Sequence, residues 1–302
     1  MKYIERNESS YVFSSDIRER ARIKPGETVC FKTYDCFTNR FLPEGTTYEN
    51  VPKCPGNPVT GPLYIEGARP GDMLKVKIEK IATGPVGIVV VGPKSGCMRE
   101  KFPVREIRRV TVKDGAARFN DKLSIPVRPM IGTIGTAPAE GEIPSIAPGD
   151  HGGNMDCTRI GEGASLYLPV FCEGGLLSMG DVHAVMGDGE VEDCGLEIEA
   201  EVTVTVDVVK SPGIAWPLLE TEDAWIAIAS RKTVDEAWQT ADRQMFEFMT
   251  KQAAIGEYEA GMLLTLTGDL VFCQTVNPLM TVRMEMKKDI LSAYDFTEVR
   301  ER

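Results

Sequence analysis

No stretch of this 302-residue chain approaches the ~20 consecutive apolar residues that a membrane span needs. The N-terminal MKYIERNESSYVFSSDIRER also lacks the apolar core of a secretory leader, so a cytoplasmic protein is expected. A basic surplus is missing too: 45 acidic residues face 34 basic ones, giving a net charge of −11. The chain as a whole repels polyanions, which argues against nucleic acid as a partner. Its eight cysteines form no CxxC pair and are scattered along a chain without an export signal. Free thiols are therefore expected rather than a disulfide framework or a cysteine zinc site. The GxSxG, HExxH and GxxxxGK(S/T) signatures are all absent, removing the common serine-hydrolase, zincin and P-loop readings.

What is present is globular and loop-rich. Hydrophobic residues make up 42% and charged residues 26% of the chain, and 29 Gly and 19 Pro punctuate it. Gly71–Thr83 and Gly195–Lys210 alternate apolar and polar positions and predict half-buried strands. The run TGPVGIVVVGP reads as a fully buried strand. A helix is predicted from Thr233, where TVDE forms a capping box and Ala237, Trp238, Ala241, Met245, Phe248 and Met249 line one face against the sheet. EYEAGMLLTLTGDL is a second candidate helix. The expected fold is mainly β, sandwich- or barrel-like, with a smaller α+β part carrying one or two helices. A seam near Lys210–Glu220 would divide residues 1–210, holding the site loops, from residues 211–302 packed on them, or the two form one integrated unit.

Only two histidines occur, and both sit among glycines and carboxylates. In MGDVHAVMGDGE, Asp181 and His183 are two apart, so a strand would turn both to one side, where they could chelate a divalent ion. Glu190, Glu192, Asp193, Glu197 and Glu199 follow, although the solvated face of an alternating strand is the readier explanation for Glu197 and Glu199. GDHGGNMD reads either as a surface turn or as a loop in which Gly152 and Gly153 bring backbone N–H groups to an oxyanion, with His151, Asn154 and Asp156 as donors, ligands or base. Asp35, in FKTYDCFTNR, either ends a strand or is a ligand or base with a tuned pKa. Thr60, Gly61 and Glu66 either belong to a turn and strand or line a polar pocket. Cys36 or Cys157 could serve as a nucleophile, although buried free thiols are usually inert.

NPVTGPLYIEGARPGD, PGDHGGNMD, the long LYLPVFCEGGLLSMGDVHAVMGDGEVEDCGLEIE and QTVNP resemble, in order, the blocks of the acetamidase/formamidase family, over nearly the whole chain. The resemblance implies a predominantly β fold, a homodimer or higher homo-oligomer, and hydrolysis of formamide, acetamide or similar short amides to acid and ammonia with a divalent metal. Zinc suits imidazole and carboxylate ligands, and a second site holding calcium would use oxygen alone. Carried onto this chain, the family's polar positions fall on Asp35, Asp181 and His183, expected as metal ligands, and on His151, Asn154 and Asp156, expected as catalytic residues; Thr60, Glu66, Gly152 and Gly153, read from their own segments, are expected to contact the substrate. Two other readings stay open: a thiol amidase using Cys157 or Cys36, and a non-catalytic protein that binds a small amide or acid.

Overall fold

The computed structural model describes residues 1–53 and 55–301. It is mainly β, with two large open sheets, a two-stranded pair, and three helices among the described residues. One sheet has nine strands. Its centre is built from Glu27–Thr33, Ala200–Val209, Met73–Thr83 and Ser165–Pro169, and it continues through Leu218–Glu220, Ala224–Arg231 and Met280–Lys287 to an edge at Asp269–Gln274. The other has eleven strands, with Leu177–His183 at its middle between Met130–Gly135 and both Val59–Ile65 and Glu197–Ile198. The first sheet crosses the Lys210–Glu220 segment without interruption.

Alternation explains the layers. Val29, Phe31, Val76, Ile78, Val202, Val204 and Val206 from the first sheet meet Leu63, Ile131, Ile134, Leu177, Met179 and Val182 from the second in one core. The back of the first sheet carries a second core against the helices. Ala224–Arg231 serves both: Ile226 and Ile228 face the inter-sheet core, while Trp225, Ala227 and Ala229 face Ala237, Ala241, Met245, Phe248 and Met249. A strand covered on both faces loses its polar alternation and reads as a continuous apolar run.

The helix Val234–Lys251 starts at the expected cap, with Thr233 Oγ1 accepting from the Glu236 N–H and the Glu236 carboxylate accepting from the Thr233 N–H. Trp238 departs from the expected apolar face. It is 38% exposed at the rim, and the buried place goes to Gln244. A second helix spans Glu257–Thr267, as expected, and a short third one Lys288–Ser292. Val86–Val91 buries Ile88 and Val90 but leaves Val89 and Val91 half-buried on its other face.

The long alternating segment Gly195–Lys210 is the instructive difference. It forms two strands: Glu197–Ile198 pairs with the His183 strand in one sheet, and Ala200–Val209 joins the other. Switching sheets at Glu199 turns Glu197 inward, 1% exposed and in register with His183. The solvated-face explanation thus fails for Glu197. Glu199 remains half-buried and pairs with Arg6 and Asn39.

Candidate active site

The strand Leu177–His183 is buried along its whole length and carries the centre of the site. His183 Nε2 lies 2.9 Å from Glu197 Oε1, 3.4 Å from Asp181 Oδ1 and 3.9 Å from Asp156 Oδ1. Glu190 completes the group. Asp156, His183 and Glu190 place one ligand atom each within 4.8 Å of one another, and so do Cys36, Asp181 and Glu197. Asp156, Asp181 and Glu190 all adopt left-handed backbone conformations, with φ of 46°, 55° and 42°. Each costs about 1 kcal/mol or more, and strain of this kind persists where surrounding structure demands it.

Two glycines make the convergence sterically feasible. A Cβ at Gly132 would meet Asp156 Oδ1 at 2.5 Å and Asp181 Oδ2 at 2.9 Å, and one at Gly195 would meet the His183 ring at 2.8 Å. Amide and hydroxyl groups hold the carboxylates from outside. Asn57 Nδ2 donates to Asp181 Oδ2 at 2.6 Å, Thr133 Oγ1 to the same oxygen at 3.0 Å, and Asn277 Nδ2 to Asp156 Oδ2 at 2.6 Å. With its amide turned so that nitrogen faces the carboxylates, Asn154 donates to Asp181 Oδ2 at 2.7 Å and to Asp156 Oδ2 at 3.2 Å. A cavity of about 280 Å³ opens over this floor, lined by Asn57, Asn154, Asp181, Glu190, Glu197 and Asn277 on one part, and by Arg40, Tyr48, Arg105 and Asp193 on another.

Burial dominates the electrostatics. It pushes Asp156 up to about 6, with the Asp181 charge adding to the effect. Burial also drives Glu190 and Glu197 well above the carboxylate range, with Asp156 and Asp181 respectively as added negative charges. Asp181 goes the other way: burial opposes its charge, but the His183 imidazole and neighbouring hydrogen bonds outweigh that and hold it low. His183 is raised, since Glu197 and Asp181 more than offset its burial. Four buried carboxylates thus share one imidazole. Asp181 Oδ1, Glu190 Oε2, Glu197 Oε2 and both His183 nitrogens have no hydrogen-bond partner. A buried carboxylate surplus is neutralised by protons or by a cation, and these free oxygen and nitrogen atoms are suitable donors for a divalent metal ion.

The family model for acetamidases and formamidases matches residues 5–146 and 139–225. The chain belongs to the acetamidase/formamidase family. An acetamidase from Bacillus halodurans, known from its crystal structure, is 37% identical with a TM-score of 0.93, over 97% of this chain and 99% of that one. A predicted acetamidase/formamidase from Thermoanaerobacter tengcongensis is 38% identical with a TM-score of 0.95, over 99% of both chains. The acetamidase of Mycolicibacterium smegmatis is 25% identical over 265 residues, 65% of this chain. The match takes in 64% of that enzyme's length, and only 20% of a formamidase from Methylophilus methylotrophus that is 39% identical over 81 residues.

Within this family member, Asp156, Asn154, Asp181 and His183 come together at the site. The other residues singled out from the sequence lie around it or apart. Asp35 is buried beside the cavity wall. Its Oδ1 accepts the Phe37 and Asn39 N–H groups at 3.0 and 2.6 Å, and burial raises it to about 6. The neighbouring Cys36, not Asp35, joins Asp181 and Glu197. His151 lies on a separate apolar pocket with Ile143, Pro148 and Phe171, edge-on to Phe13 at 5.1 Å, and burial lowers it to about 4. Gly152 and Gly153, both at positive φ, pair with Gly135 and Ile134, which sets Asn154 opposite Thr133. Thr60 Oγ1 donates to the Lys32 carbonyl, and Glu66 is half-buried at a strand end.

Glu190 and Glu197, named from the sequence only among the carboxylates that follow His183, and Asn57, Thr133 and Asn277, which were not singled out, complete the constellation. Asn277 sits in the QTVNP block, where Gln274 Oε1 accepts the Val276 and Asn277 N–H groups, both at 2.8 Å, and fixes the turn. That block was the available signal for it. Cys157 is fully buried beside Arg283 and Cys273, away from the cavity lining.

Proposed function

We propose that this chain hydrolyses short aliphatic amides to a carboxylate and ammonia in the 280 Å³ cavity, with a divalent metal ion held by His183 and carboxylates of the cluster. The buried surplus of carboxylates on the cavity floor carries the proposal. Such an ion, when bound, supplies an activated water and polarises the amide carbonyl. The chain's own groups do the rest. Asn154 and Asn277 hold the carboxylates in place. Asp156, which burial raises to about 6, is the chain's own group for passing a proton to the departing amine. His151 acts at a distance, propping the Gly152–Asn154 strand through its packing against Phe13.

Zinc fits best, because one group of donors includes imidazole and the other a thiol, whereas calcium prefers oxygen alone. The thiol alternative is weaker on physical grounds. Cys157 is sealed from the cavity, and burial among carboxylates pushes the Cys36 thiol well up, away from the reactive thiolate. Ammonia release from formamide, acetamide and propionamide, measured before and after exhaustive chelation and metal add-back, tests the reading. Full activity in metal-free protein, lost on alkylation and protected by substrate, would move catalysis to a cysteine.

The proposal extends to a homodimer. Tyr258, Met262 and Leu266 form an outward stripe at four-residue spacing, 89%, 64% and 78% exposed. Leu270 and Phe272 stand opposite Met284 and Val282 on the same helix-covered face of the edge strand. Together they leave roughly 500 Å² of apolar surface per chain, which a twofold doubles to about 1,000 Å², where specific interfaces begin. Light scattering should give twice the monomer mass for the wild type and monomers for Leu266→Glu.

A further inference from the structure

The cavity has a cationic wall that hydrolysis of formamide or acetamide does not use. Arg40 and Arg105 both line it and both flank the Tyr48 ring, their guanidinium carbons 6.0 and 4.5 Å from its centroid. The Nε atom of each is buried without a hydrogen-bond partner, and neither arginine forms an ion pair among the described residues. They are nevertheless held in place. Arg40 Nη1 donates to the Pro52 carbonyl at 2.9 Å, and the Arg105 stem lies against Gly92, where a Cβ would displace it. Asp193 is the one carboxylate lining the cavity outside the metal-binding cluster. A single carboxylate balances one guanidinium and leaves the other in surplus. The volume, about 280 Å³, also far exceeds what the three or four non-hydrogen atoms of formamide or acetamide occupy, and approaches the ~300 Å³ of pockets that hold larger ligands.

We infer that this cavity selects amides bearing a carboxylate at the far end of a short chain, the half-amides of dicarboxylic acids, and that Arg40 and Arg105 bind that carboxylate. The inference rests on the amide hydrolysis proposed above and names its substrate class. A guanidinium fork matches a carboxylate in geometry and charge, and stacking on Tyr48 keeps both forks ordered before the ligand arrives. The incoming anion supplies the negative charge that this wall lacks, while the uncharged amide end meets the part of the cluster that lines the cavity, Asp181, Glu190 and Glu197. Water then adds across the C–N bond, leaving the dicarboxylate and ammonium.

The test compares kcat/KM for ammonia release by the metal-loaded full chain on malonamate, succinamate and glutaramate, each against the neutral monoamide of equal chain length. At least one half-amide should exceed its neutral counterpart roughly 10- to 100-fold, mainly through KM. That ratio should collapse toward one in Arg105→Gln and in Arg40→Gln, and recover in part in Arg105→Lys. Circular dichroism and melting verify folding, and if one Gln variant fails to fold, the other and the wild-type ratios decide. Equal values for every wild-type pair would overturn the inference while leaving amide hydrolysis standing. If no amide is turned over, calorimetric titration of the same pairs decides: half-amide binding that is tighter and arginine-dependent upholds the anion site and sinks the hydrolytic reading, whereas equal binding overturns the inference.

Discussion

Gly132→Ala places a single methyl group into the carboxylate cluster. Its Cβ would stand 2.5 Å from Asp156 Oδ1, 2.7 Å from the Asp181 carbonyl oxygen and 2.9 Å from Asp181 Oδ2, all inside van der Waals contact. Neither aspartate is the end of a long flexible chain, and both are tied by hydrogen bonds to Asn277, Asn57 and Thr133, so the cluster must open by several tenths of an ångström. Overpacking of this kind costs about 1–3 kcal/mol, which for a chain of this size lowers Tm by roughly 2–5 °C. The functional loss should be larger: displacing groups that hold a metal or substrate by up to about 1 Å costs roughly 100-fold in rate. Elemental analysis of purified protein, ammonia release from acetamide, and calorimetric melting measure the three effects. Gly261→Ala is the control. No heavy atom lies within 4 Å of its added Cβ, and replacing a mid-helix glycine should stabilise by about 0.5–1 kcal/mol. A Gly132→Ala protein with full metal content and activity within twofold of wild type would refute the placement of the site.

Glu197→Gln, which preserves shape while removing the charge 2.9 Å from His183, should reduce metal content by at least about tenfold and abolish activity; unchanged metal content would remove Glu197 from the ligand set. His183→Ala should lose metal and activity together, whereas His151→Ala should lose activity and keep most of its metal, as elemental analysis of the two proteins will show. Asp35 has a folded pKa near 6 against an ordinary 3.8, so its carboxyl favours the fold fully below about pH 4, and that contribution is lost as pH rises through 6. Asp35→Asn keeps the acceptor for the Phe37 and Asn39 N–H groups, and should therefore gain up to about 3 kcal/mol over wild type between pH 4 and pH 8 in urea melts; a gain independent of pH would contradict the assignment.

The strand and helix pattern was readable where one side chain period ran undisturbed. Met73–Thr83 has one face in the inter-sheet core and one at the surface, and the Thr233 cap needs only four residues to declare itself. Periodicity failed at Glu199, because the segment changes sheets there and the short stretch before it is covered on both faces, so that Glu197 is buried along with Ile198. That one backbone event hid Glu197. A rule assigning alternating acids to solvent was correct for Glu201 and Asp207, both exposed on the same segment, and wrong two residues before the switch ended.

The site itself was half legible for a related reason. Asp181, His183, Asn154 and Asp156 stand out because imidazole, amide and carboxylate beside glycines are chemically conspicuous. Their supports are not: Asn57, Thr133 and Asn277 are common residues whose role exists only through spatial convergence, with 124, 48 and 121 positions separating each from its aspartate. Two glycines are equally silent in sequence, since Gly132 and Gly195 matter for the space they leave rather than for any turn they make, and neither has a positive φ. His151 illustrates the converse. It shares every compositional cue with His183, yet a pocket of Ile143, Pro148 and Phe171 holds it uncharged, while His183 is surrounded by carboxylates that favour its charged or metal-bound state. The same side chain thus takes a packing role or an electrostatic one according to its neighbours across the sheet. Metal content in the two alanine variants reads that distinction directly.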